Sequence, residues 1–143
     1  MDDLIVFLNA RLDEDEAAAK AAASVAGPDW QFGRDFPTSY LRSSAGSILA
    51  DTLHSGDGEI GPHLARHDPA RVLREVEAKR AILELHQGDA SEYGGSGYRA
   101  GEMACRMCGA DDGWWGVAWP CPTILALAAV YSDHPDYRQE WKP

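Results

Sequence analysis

Three cysteines in the last third of the chain constrain it more than any other feature. Cys105-Arg-Met-Cys108-Gly109 is a C-x2-C followed by glycine, and Cys121 follows after twelve further residues. Two intervening residues let both sulfurs face one ion. The glycine lets the backbone turn tightly, so that amide N–H groups point at the sulfurs, as in a zinc knuckle. Cys121 sits between Pro120 and Pro122, where a helix is expected to begin. Unpaired N–H groups and the helix dipole favour a thiolate there. An odd number of cysteines speaks for free thiols in a reducing compartment rather than a disulfide framework.

A structural zinc site needs four ligands, so three cysteines ask for one more donor. His86 is the first choice. It falls on the apolar arc that Val72, Val76 and Leu83 draw on a helix read over residues 68–87. An unpaired imidazole facing a core is costly, and metal ligation satisfies one of its nitrogens. His134, twelve residues beyond the third cysteine, is the runner-up, and Asp111 and Asp112 are weaker choices because thiolate-rich sites seldom complete with a carboxylate. Two other readings stay open: metal-free buried cysteines, and a redox C-x2-C. An iron–sulfur cluster usually takes four cysteines.

The rest of the chain reads as α+β. Leu4, Ile5, Leu8, Leu12, Ala19, Ala23 and Ala26 share one face of a helix over residues 3–26, which Gly27-Pro28 stops. The acids Asp13–Glu16 are read as its solvated face. Residues 29–58 carry Trp30, Phe32, Phe36, Tyr40 and Leu41 among turn formers and read as a small antiparallel sheet closed by Ser55–Gly58. A short helix over 60–67 puts His63 and His67 on one face. Asp68-Pro69 then caps and starts the long helix. Glu75 and Lys79 have the spacing of an i,i+4 pair on it. Residues 88–101 hold five glycines and read as a flexible loop; 122–131 read as a last helix, and Tyr137 and Trp141 as a packed tail. The expected fold is thus three main helices, a small sheet and a zinc-knuckle loop packed on the helices. One zinc-stabilised domain would span residues 1–143.

Charge and hydropathy exclude several functions. The 143 residues carry a net charge of −10, with no stripe of Lys or Arg to track phosphates, so nucleic acid and anionic membrane surfaces are not expected partners. The acidic surface favours a basic protein partner instead. No apolar run approaches the roughly 20 residues of a membrane span, and the acidic start at Asp2-Asp3 is unlike a secretory signal, so a cytoplasmic location is expected.

Four segments carry a family resemblance: DLIVFLNARLDEDE over 3–16, HLARHDPARVLREVEAKRAILEL over 63–85, PCPT over 120–123 and YSDHPDYRQEW over 131–141. The chain resembles a family of small uncharacterised actinobacterial and actinophage proteins, the domain of unknown function numbered 6221. The resemblance implies a bacterial or phage cytosolic setting and no particular activity. It also implies the pairing of a helix-end histidine with three later cysteines, hence His86, Cys105, Cys108 and Cys121.

Two functions follow as expectations. The first is a small cytosolic zinc protein, the zinc structural, acting as a binding or accessory module rather than an enzyme. Trp114 and Trp115 would cover the knuckle or anchor a partner. The alternative is a metal-dependent hydrolase or nuclease-like enzyme using His63, His67 and Asp68, with Glu75 as a further candidate.

Overall fold

The alanine-rich run near the start of the sequence forms a 24-residue helix, α1 (Asp3–Ala26), in the computed structural model, which describes residues 3–35, 38–52, 60–90, 103–108 and 117–143. It ends where the sequence places its stop, with the Gly27 N–H donating to Ala23 O at 2.8 Å. Three strands follow, β1 (Trp30–Asp35), β2 (Thr38–Ser43) and β3 (Ile48–Thr52). Then come α2 (Ile60–Arg66), α3 (Pro69–Leu85), β4 (Gly88–Ala90), β5 (Met103–Cys105), α4 (Pro122–Ala129) and a 3-10 turn at Gln139–Trp141. The described residues therefore make an α+β fold of four helices with a three-stranded antiparallel sheet. No helix among them is long and apolar enough to cross a membrane.

The chain divides into two compact units, residues 12–77 and residues 1–11 with 78–143. In the first of these, β1 pairs antiparallel with β2 from Trp30↔Ser43 to Asp35↔Thr38, and β2 pairs antiparallel with β3. This is the meander that the alternation over residues 29–58 suggests; Phe36 and the expected turn Ser55–Gly58 lie outside the described residues. Leu41 and Ser43 are buried, and α2 packs on β1 and β2. The approach is close: a Cβ on Gly61 would run into the Phe32 ring, so only glycine permits it.

Asp68 is the joint of this unit. Its Oδ1 accepts the Arg71 N–H at 2.8 Å, capping α3, while its Oδ2 accepts the Trp30 N–H at 3.3 Å from the start of β1. The Ala70 N–H donates to Pro28 O at 2.9 Å beside it. One carboxylate thus ties a helix start to a strand start. Glu75 joins Arg71 at 2.6 Å, whereas the Lys79 ammonium, in the other unit, lies over the Tyr131 ring at 5.6 Å.

The other unit gathers around Phe7. Its ring meets Tyr131, His134, Tyr137 and Trp141 with centroids 5.0–6.3 Å apart. Leu4, Leu8, Ile124, Ala128 and Trp141 are buried with it, so the C-terminal tail packs as its two aromatics suggest. The buried arc of α1 here is Leu4, Phe7, Leu8 and Arg11, rotated from the one the apolar pattern gives, which had Ile5 and no Arg11. Arg11 is tolerated inside because its guanidinium covers the Phe7 ring at 5.3 Å and meets His134.

The sequence reading is corrected in one respect that bears on function. Gly88–Ala90, read as the start of a loop, is a strand, and it pairs antiparallel with Met103–Cys105, where no strand was expected. Three-residue strands are too short to show a period. α3 and α4 also end earlier than expected, at Leu85 and Ala129.

Asp68→Ala should remove both bonds and cost about 1–2 kcal/mol, the range of a lost helix cap. Asp68→Asn, which keeps an acceptor, should recover most of it. Urea midpoints of the three proteins check the ranking.

Candidate metal centre

Each of the four donors chosen from the sequence sits at the end of a hydrogen-bonded element. His86 follows α3 directly and donates its N–H to Ile82 O at 3.0 Å; β4 begins two residues later. Cys105 closes β5 opposite Gly88, and Cys108 lies in the turn that follows. On the other side of β5, the Cys105 N–H donates to Val117 O at 2.8 Å and the Trp119 N–H to Met103 O at 2.9 Å. That segment leads into Cys121, the N-cap of α4, with Pro122 in its first turn. Sulfurs and imidazole are therefore gathered by backbone pairing on both edges of β5.

The pairing needs small residues at one point. A Cβ on Gly88 would lie 2.5 Å from Met103 Cε and 2.7 Å from Trp119 Cγ. Gly88 was expected to stop the helix; α3 instead ends at Leu85, and Gly88 opens β4, where it lets these two side chains close over the strand. The sequence signal for the partner segments was faint: two apolar triplets, Met103–Cys105 and Val117–Trp119, on either side of a polar stretch.

The geometry is that of ligands around a common centre. His86 Nδ1 lies 3.4 Å from Cys108 Sγ, 3.5 Å from Cys105 Sγ and 3.6 Å from Cys121 Sγ. All four donor atoms fall within 4.8 Å of one another. A tetrahedral ion with Zn–S bonds near 2.3 Å and Zn–N bonds near 2.0–2.1 Å holds nitrogen and sulfur about 3.6 Å apart. A single ring nitrogen carries one proton or one lone pair, so it cannot bond to three thiols at once. Hydrogen bonding alone does not explain three such approaches, which are compatible with a shared metal ion. The cysteines are free, two of them buried, and the set is compatible with a metal such as zinc.

Electrostatics in the cluster ask for a cation as well. Burial first, then the neighbouring Cys105 and Cys121 sulfurs, push the Cys108 thiol from 9.0 up to about 11. Burial acts the same way on Cys121, but the Ile124 amide, the two other thiols and the Thr123 amide outweigh it and lower that thiol. Neither amide makes a full cap hydrogen bond to the sulfur; their effect is that of the helix start as a whole. The Cys108 N–H, 3.5 Å from Cys105 Sγ, adds a donor in the knuckle turn. Thiolates crowded this closely repel one another unless a positive ion lies between them.

The other candidates are placed elsewhere. His134 faces Arg11, whose Nη1 lies 2.6 Å from Nε2 and 2.9 Å from Nδ1, and Nδ1 accepts the Asp136 N–H at 3.1 Å. His63 and His67 stack with ring centroids 4.5 Å apart, but both Asp68 oxygens are taken by backbone amides. His63, His67 and Asp68 form no three-donor group; among the described residues His86 with the three cysteines is the group that does. Asp111, Asp112, Trp114 and Trp115 lie outside the described residues.

Burial and the neighbouring sulfurs hold the proton on Cys108 above the usual thiol range, so a metal taking that sulfur as a ligand would have to expel it. Affinity should therefore rise with pH, by about tenfold per unit for each proton released. Competition with a chromophoric chelator at two pH values a unit apart measures this slope. A flat profile would mean that no thiol proton leaves.

No curated protein and no solved structure matches the chain. A family model matches residues 1–143, its full length. The bacterial or phage setting expected from the resemblance is not part of what that match supports. With a single full-length match to a family described only as one of unknown function, the chain belongs to that family, DUF6221.

Proposed function

We propose that the protein is a small zinc-binding module in which one Zn2+ is held by His86, Cys105, Cys108 and Cys121 and serves the fold. The observation that carries this reading is the convergence of three sulfurs on His86 Nδ1 at 3.4–3.6 Å. Four protein ligands complete a tetrahedron and leave no position for a substrate, which is the mark of a structural rather than a catalytic zinc. The donor set suits zinc over harder ions, since three are thiolates.

The energetic case is direct. β4 and β5 are three residues each and could not stay paired alone. A structural zinc supplies roughly 10–16 kcal/mol of apparent binding energy to folding, ample to hold such a short hairpin. In this reading the whole chain, residues 1–143, folds as one zinc-stabilised domain. The role is that of a binding or accessory module in a reducing, cytoplasmic compartment, with its acidic surface turned to a basic partner.

Protein purified without added metal should contain about one zinc per chain by elemental analysis. His86→Ala should release it to a chelator far faster than the parent does. His134→Ala should keep its zinc, yet melt lower, since it removes one partner of buried Arg11 and a ring packed on Phe7. Zinc-free protein, or the reverse ranking of the two variants, would overturn the ligand assignment.

Cys108→Ser separates a structural from an incidental metal. It should lose zinc and lower the melting temperature together. A variant that lost zinc and melted like the parent would leave the ion without a folding role.

A further inference from the structure

We propose that α2 carries a second, exchangeable site for a late first-row transition ion, formed by the imidazoles of His63 and His67. The two residues are one helical turn apart, and the His67 N–H donates to His63 O at 3.1 Å, so the turn is intact between them. Their rings lie with centroids 4.5 Å apart and planes at 44°. Both side chains are exposed. An i,i+4 pair of imidazoles on a fixed turn is a chelate for Ni2+, Cu2+ or Zn2+, ions for which nitrogen donors are well suited.

What fixes the turn is the other face of α2. Gly61 is buried, and any Cβ there would run into the Phe32 ring of β1, so that face of the helix is held against the sheet. That contact leaves positions 63 and 67 outward. The rings are thus presented to solvent on an anchored backbone, and little ordering remains for the ion to impose. Asp68, the nearest carboxylate in sequence, keeps its oxygens on the Arg71 and Trp30 amides. Among the described residues the site draws on these two imidazole nitrogens, with water to fill the remaining positions. Such a site is open and labile, unlike the enclosed cysteine cluster, and its donors are nitrogens alone. It stands independently of the zinc reading, since no residue is shared.

The probe is Ni2+, added to the purified full-length protein and followed by calorimetry, with the zinc content checked before and after. The parent should bind about one Ni2+ per chain in a saturable phase, and Ni2+ should raise its melting temperature because the site exists only in the folded chain. His63→Ala and His67→Ala, both exposed substitutions, should each lose that phase while keeping the parent's circular dichroism. His134→Ala should retain it. Absence of a saturable phase in the parent, or its persistence in both variants, would overturn the proposal. Nickel uptake matched by zinc loss would overturn it equally, by showing exchange at the cysteine cluster instead.

Discussion

Everything about the candidate centre depends on β5 being paired along both edges. β4 lies on one side and the 117–119 segment on the other. His86 is two residues ahead of β4, Cys105 is the last residue of β5, and Cys121 follows Trp119 by two. Three of the donors are therefore within two residues of a laddered position, where the backbone is fixed. Cys108, in the turn, is held by its own N–H on the Cys105 sulfur. Donor atoms can be set to within tenths of an ångström only if the backbone carrying them is, and short ladders do this without a large core.

The dependence also runs the other way. A hairpin of three-residue strands is too small to persist on its hydrogen bonds, each worth about 1 kcal/mol net. Burial and the neighbouring sulfurs raise the proton affinity of the Cys108 thiol, while the helix start and the same kind of neighbours lower that of Cys121, so the cluster holds its protons unevenly. In our reading the ion supplies the free energy that the ladder lacks, and the ladder supplies the donor geometry that the ion needs. That is why the zinc belongs with the folding free energy and not with a reaction.

How much of this was legible in the sequence follows from the range of the signals. Signals within one turn of the chain were readable: Gly27-Pro28 as a stop, Asp68-Pro69 as a cap and first helical residue, C-x2-C as two sulfurs brought to one point. The α+β class followed from period, since α1 and α3 are long enough to show one. The choice of His86 over His134 was also legible, because it rests on the helical wheel. What escaped was set by distant partners. Gly88–Ala90 is a strand only because Met103–Cys105 comes to it. Arg11 is buried only because Phe7 and His134 receive its guanidinium. A period-based reading ranks arginine as surface and a glycine stretch as loop, and no local pattern contradicts it.

The contrast between the cysteine cluster and the histidine pair bears on whether the protein does chemistry. A metal catalyst needs an open coordination position together with a group to move a proton. The cysteine cluster has four donors around one point, so it has no open position. The histidine pair has open positions, but Asp68, the carboxylate beside it, is spent on the Arg71 and Trp30 amides. Freeing Asp68 to act as a base would uncap α3 and detach the start of β1 at once. The same carboxylate cannot hold the fold of this unit and turn over a substrate. Among the described residues, then, Asp68 is tied to the fold, and in our reading the cysteine cluster serves the fold as well.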